Sequence, residues 1–227
     1  MPDGPANIDH TLTFNTPVLL VGGAGVSEAS LKSDVFSGWP IIAADGGANI
    51  LRELDILPTA VIGDLDSLTD FNYWQAKTRV VKISEQDTTD FEKCLYTVKA
   101  PLVVALGFTG RRFDHTLVSL HLLQRYSPTV MLVLLTDYDV CFAVSGNLEL
   151  RLPVGSRFSL YPLSRSVFTK SIGLEYPLDG LVLEQGQLIG TSNRVADTTL
   201  TIEAEPGGVY SVITERQLLA VIIDQLI

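Results

Sequence analysis

Two carboxylates two residues apart, Asp64 and Asp66 in Gly63-Asp-Leu-Asp-Ser67, follow the apolar run Ala60-Val61-Ile62, where a buried strand would emerge into a loop. In extended chain, side chains two residues apart point the same way, so both would face one spot with alpha carbons roughly 6 to 7 Å apart. At an effective dielectric of ~20, two charges ~5 Å apart repel by about 3 kcal/mol, which a hard cation, a proton or solvent has to offset. Taken alone, a turn whose short acidic side chains bond their own backbone is the simpler account of this loop.

Further stretches carry chemistry of the same kind. Val18-Val21 runs into Gly22-Gly23-Ala24-Gly25, a turn whose amides could approach a phosphate, although it lacks the spacing of the dinucleotide fingerprint and no Walker-type loop occurs in the chain. Ile41-Ala44 leads into Asp45-Gly46-Gly47-Ala48-Asn49, where Asp45 could bind a metal-linked phosphate or a ribose hydroxyl, or Asp45 or Asn49 could cap a helix over residues 50–54. In Glu85-Gln-Asp-Thr-Thr-Asp-Phe-Glu-Lys93, Asp87 reads as a helix N-cap with Asp90 three residues on. Positions 87, 90 and 93 would line one side of that helix and present acid, acid and ammonium to a metal-phosphate group. Gly107-Phe-Thr-Gly110-Arg111-Arg112-Phe113-Asp114-His115 brings two guanidiniums, which suit phosphate through their planar fork, to a helix start where Asp114 is the N-cap. His115 reads as structural. Gly190-Thr-Ser-Asn193 reads as a hairpin turn, and Gly173 to Leu178 as a bend followed by an edge strand.

These loops need elements to hold them. Val18–Val21, Ile41–Ala44, Ala60–Ile62, Arg79–Ile83, Leu102–Leu106 and Val130–Leu135 read as strands that alternate with helical patterns. One helix covers Thr88 to Lys99, with Phe91, Cys94, Leu95 and Val98 on its apolar face; another is marked by Leu117, Leu120 and Leu123. Such alternation predicts a largely parallel sheet covered by helices, with ligands at the carboxyl ends of its strands. After Asp137 the chain turns all-β: Val140–Val144, 147–152, Arg157–Tyr161, 181–183, 198–204 and 209–214 are short runs separated by turn residues. The closing stretch from Leu218 fits a strand or a short helix, and the two parts join near residues 138 to 147.

Composition limits the partners. The chain has 227 residues, 46% of them hydrophobic, enough for one large or two small packed domains. A net charge of −10 and a pI near 4.7 argue against a nucleic-acid or anionic-membrane surface. An anionic substrate would enter through metal ions or a few local cations. The longest apolar runs fall far short of the ~20 residues that cross a bilayer. Met1 to Asn15 reads as a loosely packed arm, not a secretory signal. Cys94 and Cys141 fit buried reduced thiols, and His10, His115 and His121 lack metal-ligand spacing, so a cytoplasmic setting is expected.

The ordered set Asp45-Gly-Gly-Ala, Gly63-Asp-Leu-Asp-Ser, Gln86-Asp-Thr-Thr-Asp-Phe-Glu-Lys, Gly110-Arg-Arg-Phe-Asp-His, Tyr176-Pro-Leu and Ser192-Asn193 resembles the thiamine pyrophosphokinase family over about Val18 to Thr214. The resemblance implies an α/β ATP-binding catalytic domain over residues 1–140 and a thiamine-binding β-sandwich over 141–227. It also implies a homodimer whose active sites lie where domains of two subunits meet. The implied reaction moves the pyrophosphoryl group of ATP to the thiamine hydroxyl and leaves AMP. By likeness of motif, Asp45, Asp64, Asp66, Asp87 and Asp90 fall at acidic metal and phosphate positions, with Mg²⁺ held mainly by Asp64, Asp66 and Asp87. Gly46, Gln86, Lys93, Arg112 and Asp114 match nucleotide or phosphate positions, and Ser192 and Asn193 the thiamine side. Leu65 stands where Phe is common, and Arg111 adds a second arginine. Both tryptophans, Trp39 and Trp74, lie in the first domain, so an aromatic among Tyr161, Phe168, Tyr176 and Tyr210 would take the stacking place a C-terminal Trp has in some relatives.

Loose phosphoryl-transfer transition states are stabilised by placement and charge, so the expected mechanism needs no strong base, with Asp66 or Asp90 available to take the thiamine proton. Two other activities fit the same scaffold: a non-catalytic sensor of thiamine diphosphate or nucleotide, against which the intact carboxylates speak, and a metal-dependent nucleotide pyrophosphohydrolase.

Overall fold

The computed structural model describes residues 11–227, and the chain divides into two compact units between Ser119 and Leu120. That division falls inside a helix, upstream of the junction expected near residue 140. His10 and the first ten residues of the expected N-terminal arm lie outside the described residues. From Leu12 the chain is packed, contrary to a loose arm: β1 (Leu12–Thr13) pairs in parallel with Val98–Lys99, and Leu12 is buried.

The first unit continues with β2 (Val18–Val21), α1 (Glu28–Leu31), β3 (Ile41–Ala44), α2 (Gly47–Glu53), β4 (Ala60–Gly63), α3 (Phe71–Lys77), β5 (Arg79–Lys82), α4 (Asp90–Thr97), β6 (Val98–Lys99), β7 (Val103–Leu106) and the start of α5 (Phe113–Tyr126). Its sheet is parallel, in the order β7-β2-β3-β4-β5. VLLV, AVIG and VVAL carry no alternation because strands of a covered parallel sheet are buried on both faces. RVVK of β5 is exposed at both ends and buried only at Val81, as suits the sheet's margin. The α4 helix buries Phe91, Cys94 and Leu95 as its spacing predicts, but Val98 leaves it for β6. The buried positions of α5 are Ser119, Leu122 and Leu123, and Leu117 is exposed, so the expected face is displaced by part of a turn.

The second unit holds β8 (Leu132–Leu135), β9 (Asp139–Ser145), β10 (Leu148–Arg151), β11 (Arg157–Pro162), β12 (Ser166–Ile172), β13 (Val182–Leu183), β14 (Gly190–Arg194), β15 (Thr199–Ala204), β16 (Val209–Glu215) and α6 (Leu219–Leu226). The closing apolar stretch is therefore helical. Two antiparallel sheets, β8-β9-β16-β11-β14 and β10-β15-β12-β13, make a β-sandwich. Phe168 of one sheet meets Tyr210 of the other edge to face at 5.1 Å, both fully buried. The segment 190–193, expected as a turn, is strand β14, and β12 is an additional strand. No helix among the described residues is long and apolar enough to cross a membrane.

Candidate active site

In the first unit, β2 has β3 on one side and the late strand β7 on the other, so the direction of winding reverses at β2. Loops at the carboxyl ends of strands flanking such a point splay apart and leave a crevice. A Cβ on Gly22 would stand 2.4 Å from the Gly107 carbonyl oxygen, and one on Gly47 would stand 2.2 Å from that of Val21. Both positions are held to glycine by backbone packed against backbone at the crevice.

The acidic residues gather at the neighbouring strand ends. Asp45, just past β3, has φ 41 and is only 2% exposed. Its Oδ2 accepts the Ser67 amide at 3.1 Å, while its Oδ1 is buried with no partner. It caps nothing: α2 begins at Gly47 behind Gly46, which makes no side-chain cap. Asn49 instead clamps the β4–α3 loop, donating to the Ser67 carbonyl at 2.8 Å and accepting from the Thr69 amide and hydroxyl at 3.0 and 2.7 Å. Leu65 has φ 70, so Asp64 to Asp66 is a turn and not extended chain. Asp64 Oδ1 accepts the Asp66 amide at 3.2 Å, the self-bonded turn, yet Asp45, Asp64 and Asp66 still offer carboxylate oxygens within 4.8 Å of one another. The self-bonded turn and a close grouping of three carboxylates therefore coexist at this loop.

Lys93, on the second turn of α4 and 1% exposed, donates to Asp64 Oδ2 and Asp90 Oδ1, each at 3.2 Å. Gln86 Nε2 adds a bond to Asp64 Oδ2 at 3.0 Å, and Asp90 Oδ1 accepts the Asp64 amide at 3.3 Å. Burial opposes the charge on Lys93, but its bonds to Asp64 and Asp90 and the field of both carboxylates outweigh it, and its pKa is raised. Burial likewise opposes ionisation of Asp64, and bonds from Asp66, Lys93 and Gln86 lower its pKa on balance. Asp45 goes the other way. Burial, against the Ser67 amide and aided by the charges of Asp90 and Asp64, pushes it up to about 6. Lys93 pairs with Asp64 and Asp90, and Asp45 and Asp66 stand beside Asp64 without an ammonium of their own, so the cluster keeps a negative excess that suits a hard cation.

Asp87 does not serve as the N-cap expected of it, and it stands outside the closest group of carboxylates. The three-carboxylate group among the described residues contains Asp45 instead, and α4 is capped by Thr89, whose hydroxyl accepts the Glu92 amide. The Thr-x-x-Glu spacing carried that signal. Arg111 crosses to the β2 turn and donates to the Gly23 carbonyl at 3.4 Å. Arg112 pairs with Asp114 on the surface, and Asp114 lies within the first turn of α5, not before it.

In the second unit, Tyr176, Leu178, Leu188, Ile189, Ser192 and Asn193 line an open groove of about 370 Å³. Asn193, buried, accepts the Tyr176 amide at 3.0 Å and donates to the Tyr176 carbonyl at 2.7 Å, fixing that backbone in place. Ser192 has φ 64, and its amide donates to Ser159 Oγ. Phe168 and Tyr210 are buried against each other, whereas Tyr176 is 60% exposed beside Ser192 and Asn193.

Residues 37–134 match the family model described as thiamin pyrophosphokinase, catalytic domain, and residues 148–207 the one described as thiamin pyrophosphokinase, vitamin B1 binding domain. Thiamin pyrophosphokinase 1 of Caenorhabditis elegans is 30% identical over 193 residues, covering 77% of this chain and 79% of its own. Thiamine pyrophosphokinase 1 of Arabidopsis thaliana is 29% identical over 220 residues, covering 79% and 80%. Among solved structures, yeast thiamin pyrophosphokinase superposes with a TM-score of 0.77 at 18% identity over 94% of both chains. The Candida albicans protein gives 0.76 at 21% over 88% of this chain and 89% of its own.

Proposed function

The chain belongs to the thiamin pyrophosphokinase family, and from that premise we propose that it transfers the pyrophosphoryl group of ATP to the hydroxyl of thiamine, giving thiamine diphosphate and AMP. The observation that carries the reading is the cluster of Asp45, Asp64, Asp66 and Asp90 around the buried Lys93, on the stretch matched as the catalytic domain. An all-oxygen donor set with one buried, unpartnered oxygen, Asp45 Oδ1, fits Mg²⁺. Asp45, Asp64 and Asp66 would hold it, with Asp87 a further carboxylate near the same strand ends. When bound, such an ion neutralises phosphate oxygens and lowers repulsion toward an incoming nucleophile.

The chain's own residues do the rest. Lys93, pinned between two carboxylates, is a fixed positive charge that needs no reorganisation as charge develops on the transferring group. Gly22 to Gly25 and Gly46 offer backbone to the triphosphate, Gln86 orients Asp64, and Arg112 exchanges the exposed Asp114 for phosphate oxygens. On the thiamine side, Asn193 holds Tyr176, whose exposed ring is the aromatic platform, with Ser192 beside it. Exposed Leu188 and Ile189 next to that ring are apolar surface that a second copy would cover, which favours a homodimer. Free, buried Cys94 and Cys141 suit the reducing cytoplasm.

The test is a reaction of ATP, Mg²⁺ and thiamine resolved by chromatography. AMP and thiamine diphosphate in equal amounts are expected. ADP as the nucleotide product would overturn the assignment, and AMP formed equally fast without thiamine would mean a hydrolase.

A further inference from the structure

Glu85, in the loop between β5 and α4, has no part in the cluster, yet its carboxylate is fully engaged. Its Oε2 accepts the amides of Asp87 at 2.7 Å and Thr88 at 3.0 Å; its Oε1 accepts the Tyr96 hydroxyl at 3.0 Å and the Thr88 hydroxyl. A carboxylate has about four acceptor sites, so these four donors leave it none for a metal or a substrate. The donors come from two directions. Three belong to the loop that Glu85 opens, and the fourth, Tyr96, stands one turn beyond Lys93 on α4. Between Glu85 and Thr88 lie Gln86 and Asp87, both exposed, and Gln86 reaches back 3.0 Å to Asp64 Oδ2, the oxygen that Lys93 also holds. Asp64 is thus gripped from α4 directly, by Lys93, and from the loop, by Gln86. The side chain that ties that loop to the same helix is Glu85.

We propose that Glu85 is a positioning residue for the transfer reaction: bonded to Tyr96, it folds residues 86–88 against α4 so that Gln86 keeps Asp64 turned into the acidic cluster. The inference rests on the reading of that cluster as the reaction centre. A role in holding the fold alone would show differently, because the bonds join one loop to α4 and include no residue of a strand.

The experiment uses the full chain and three variants, Glu85→Gln, Glu85→Asp and Tyr96→Phe. Glu85→Gln is expected to lower kcat for AMP formation by about tenfold or more, with the KM for thiamine within about twofold of wild type. Its melting temperature should stay within about 2 °C of wild type while amides 86–88 exchange with solvent about tenfold faster. Glu85→Asp keeps the charge but not the reach, and should be as slow as Glu85→Gln; Tyr96→Phe should fall between. Wild-type kcat in Glu85→Gln, or full activity in Glu85→Asp, overturns the proposal. So does a broad loss of stability in which every kinetic constant worsens together. If the wild type itself makes no AMP with thiamine, the proposed function fails, and unchanged exchange at 86–88 would still separately dismiss the tether.

Discussion

The residue that most constrains the site is Asp45, because its environment works against its charge. Its carboxyl is held at about 6 against an ordinary 3.8, burial being the largest cause. A raised carboxyl pKa favours the protonated form in the fold, so this stabilisation is fully present below about pH 4 and is lost as pH rises through about 6, a loss of about 3 kcal/mol for a shift of this size. A bound cation reverses that loss by compensating the carboxylate. The melting temperature in chelator should therefore fall between about pH 4 and pH 6.5, and the gain on adding Mg²⁺ should be larger at the upper end. In Asp45→Asn both trends should flatten; a wild-type-like pH response in that variant would remove Asp45 from the account. Lys93 offers the complementary test. Lys93→Met leaves Asp64 and Asp90 without their ammonium, and since both keep some exposure the cost should be about 2 kcal/mol in urea unfolding without metal, below the range for fully buried pairs. Mg²⁺ should recover part of that stability but not the turnover.

At the scale of elements, the loops that carry the chemistry were legible because strand ends announce themselves: a wholly apolar tetrapeptide followed by Gly or Asp is hard to place elsewhere than at the edge of a covered parallel sheet. Misplacements came where a local signal competed with a tertiary one. Gly190 to Asn193 has turn composition, yet pairing with β11 makes it a strand, and its exposed residues leave no apolar alternation to reveal that. Asp87 looked like the cap of α4 because acids favour that position, but its amide is taken by Glu85, and the helix starts two residues later behind Thr89. Thr89→Ala should accordingly cost about 1 kcal/mol, measured by urea unfolding, with α4 and hence Lys93 still formed. Gly63→Ala should behave in the opposite way. A Cβ there would stand 2.8 Å from Asp45 Cβ and 3.0 Å from Asp90 Oδ1, so it drives two members of the cluster apart. A loss of about 2 kcal/mol is expected from overpacking, and a loss of AMP formation much larger than that of Thr89→Ala would show that the damage is to the site.

For the whole molecule, composition gave the class and the charge, while the grouping of four carboxylates around Lys93 depends on residues as far apart as Asp45 and Lys93 and could be reached from sequence only through the family's ordered motifs. The charge itself has a kinetic consequence. At −10, the protein presents a repulsive field to the anionic Mg²⁺–ATP complex and an attractive one to thiamine, whose thiazolium ring is a cation. Salt shortens the reach of that field, from about 30 Å at 0.01 M to about 8 Å at 0.15 M. Raising KCl across that range at constant free Mg²⁺ should therefore move the two substrates in opposite directions: kcat/KM for thiamine falls and kcat/KM for Mg²⁺–ATP holds or rises. The sign for the nucleotide is the informative part. Arg111 reaches the β2 turn, Lys93 stands in the acidic cluster and Arg112 is exposed, and if these cations steered the triphosphate at long range its kcat/KM would fall with salt as well. Lys93 and Arg112 are each already paired with carboxylates, so at distances beyond a Debye length they present little net positive charge, and the acidic background should govern the approach of both substrates.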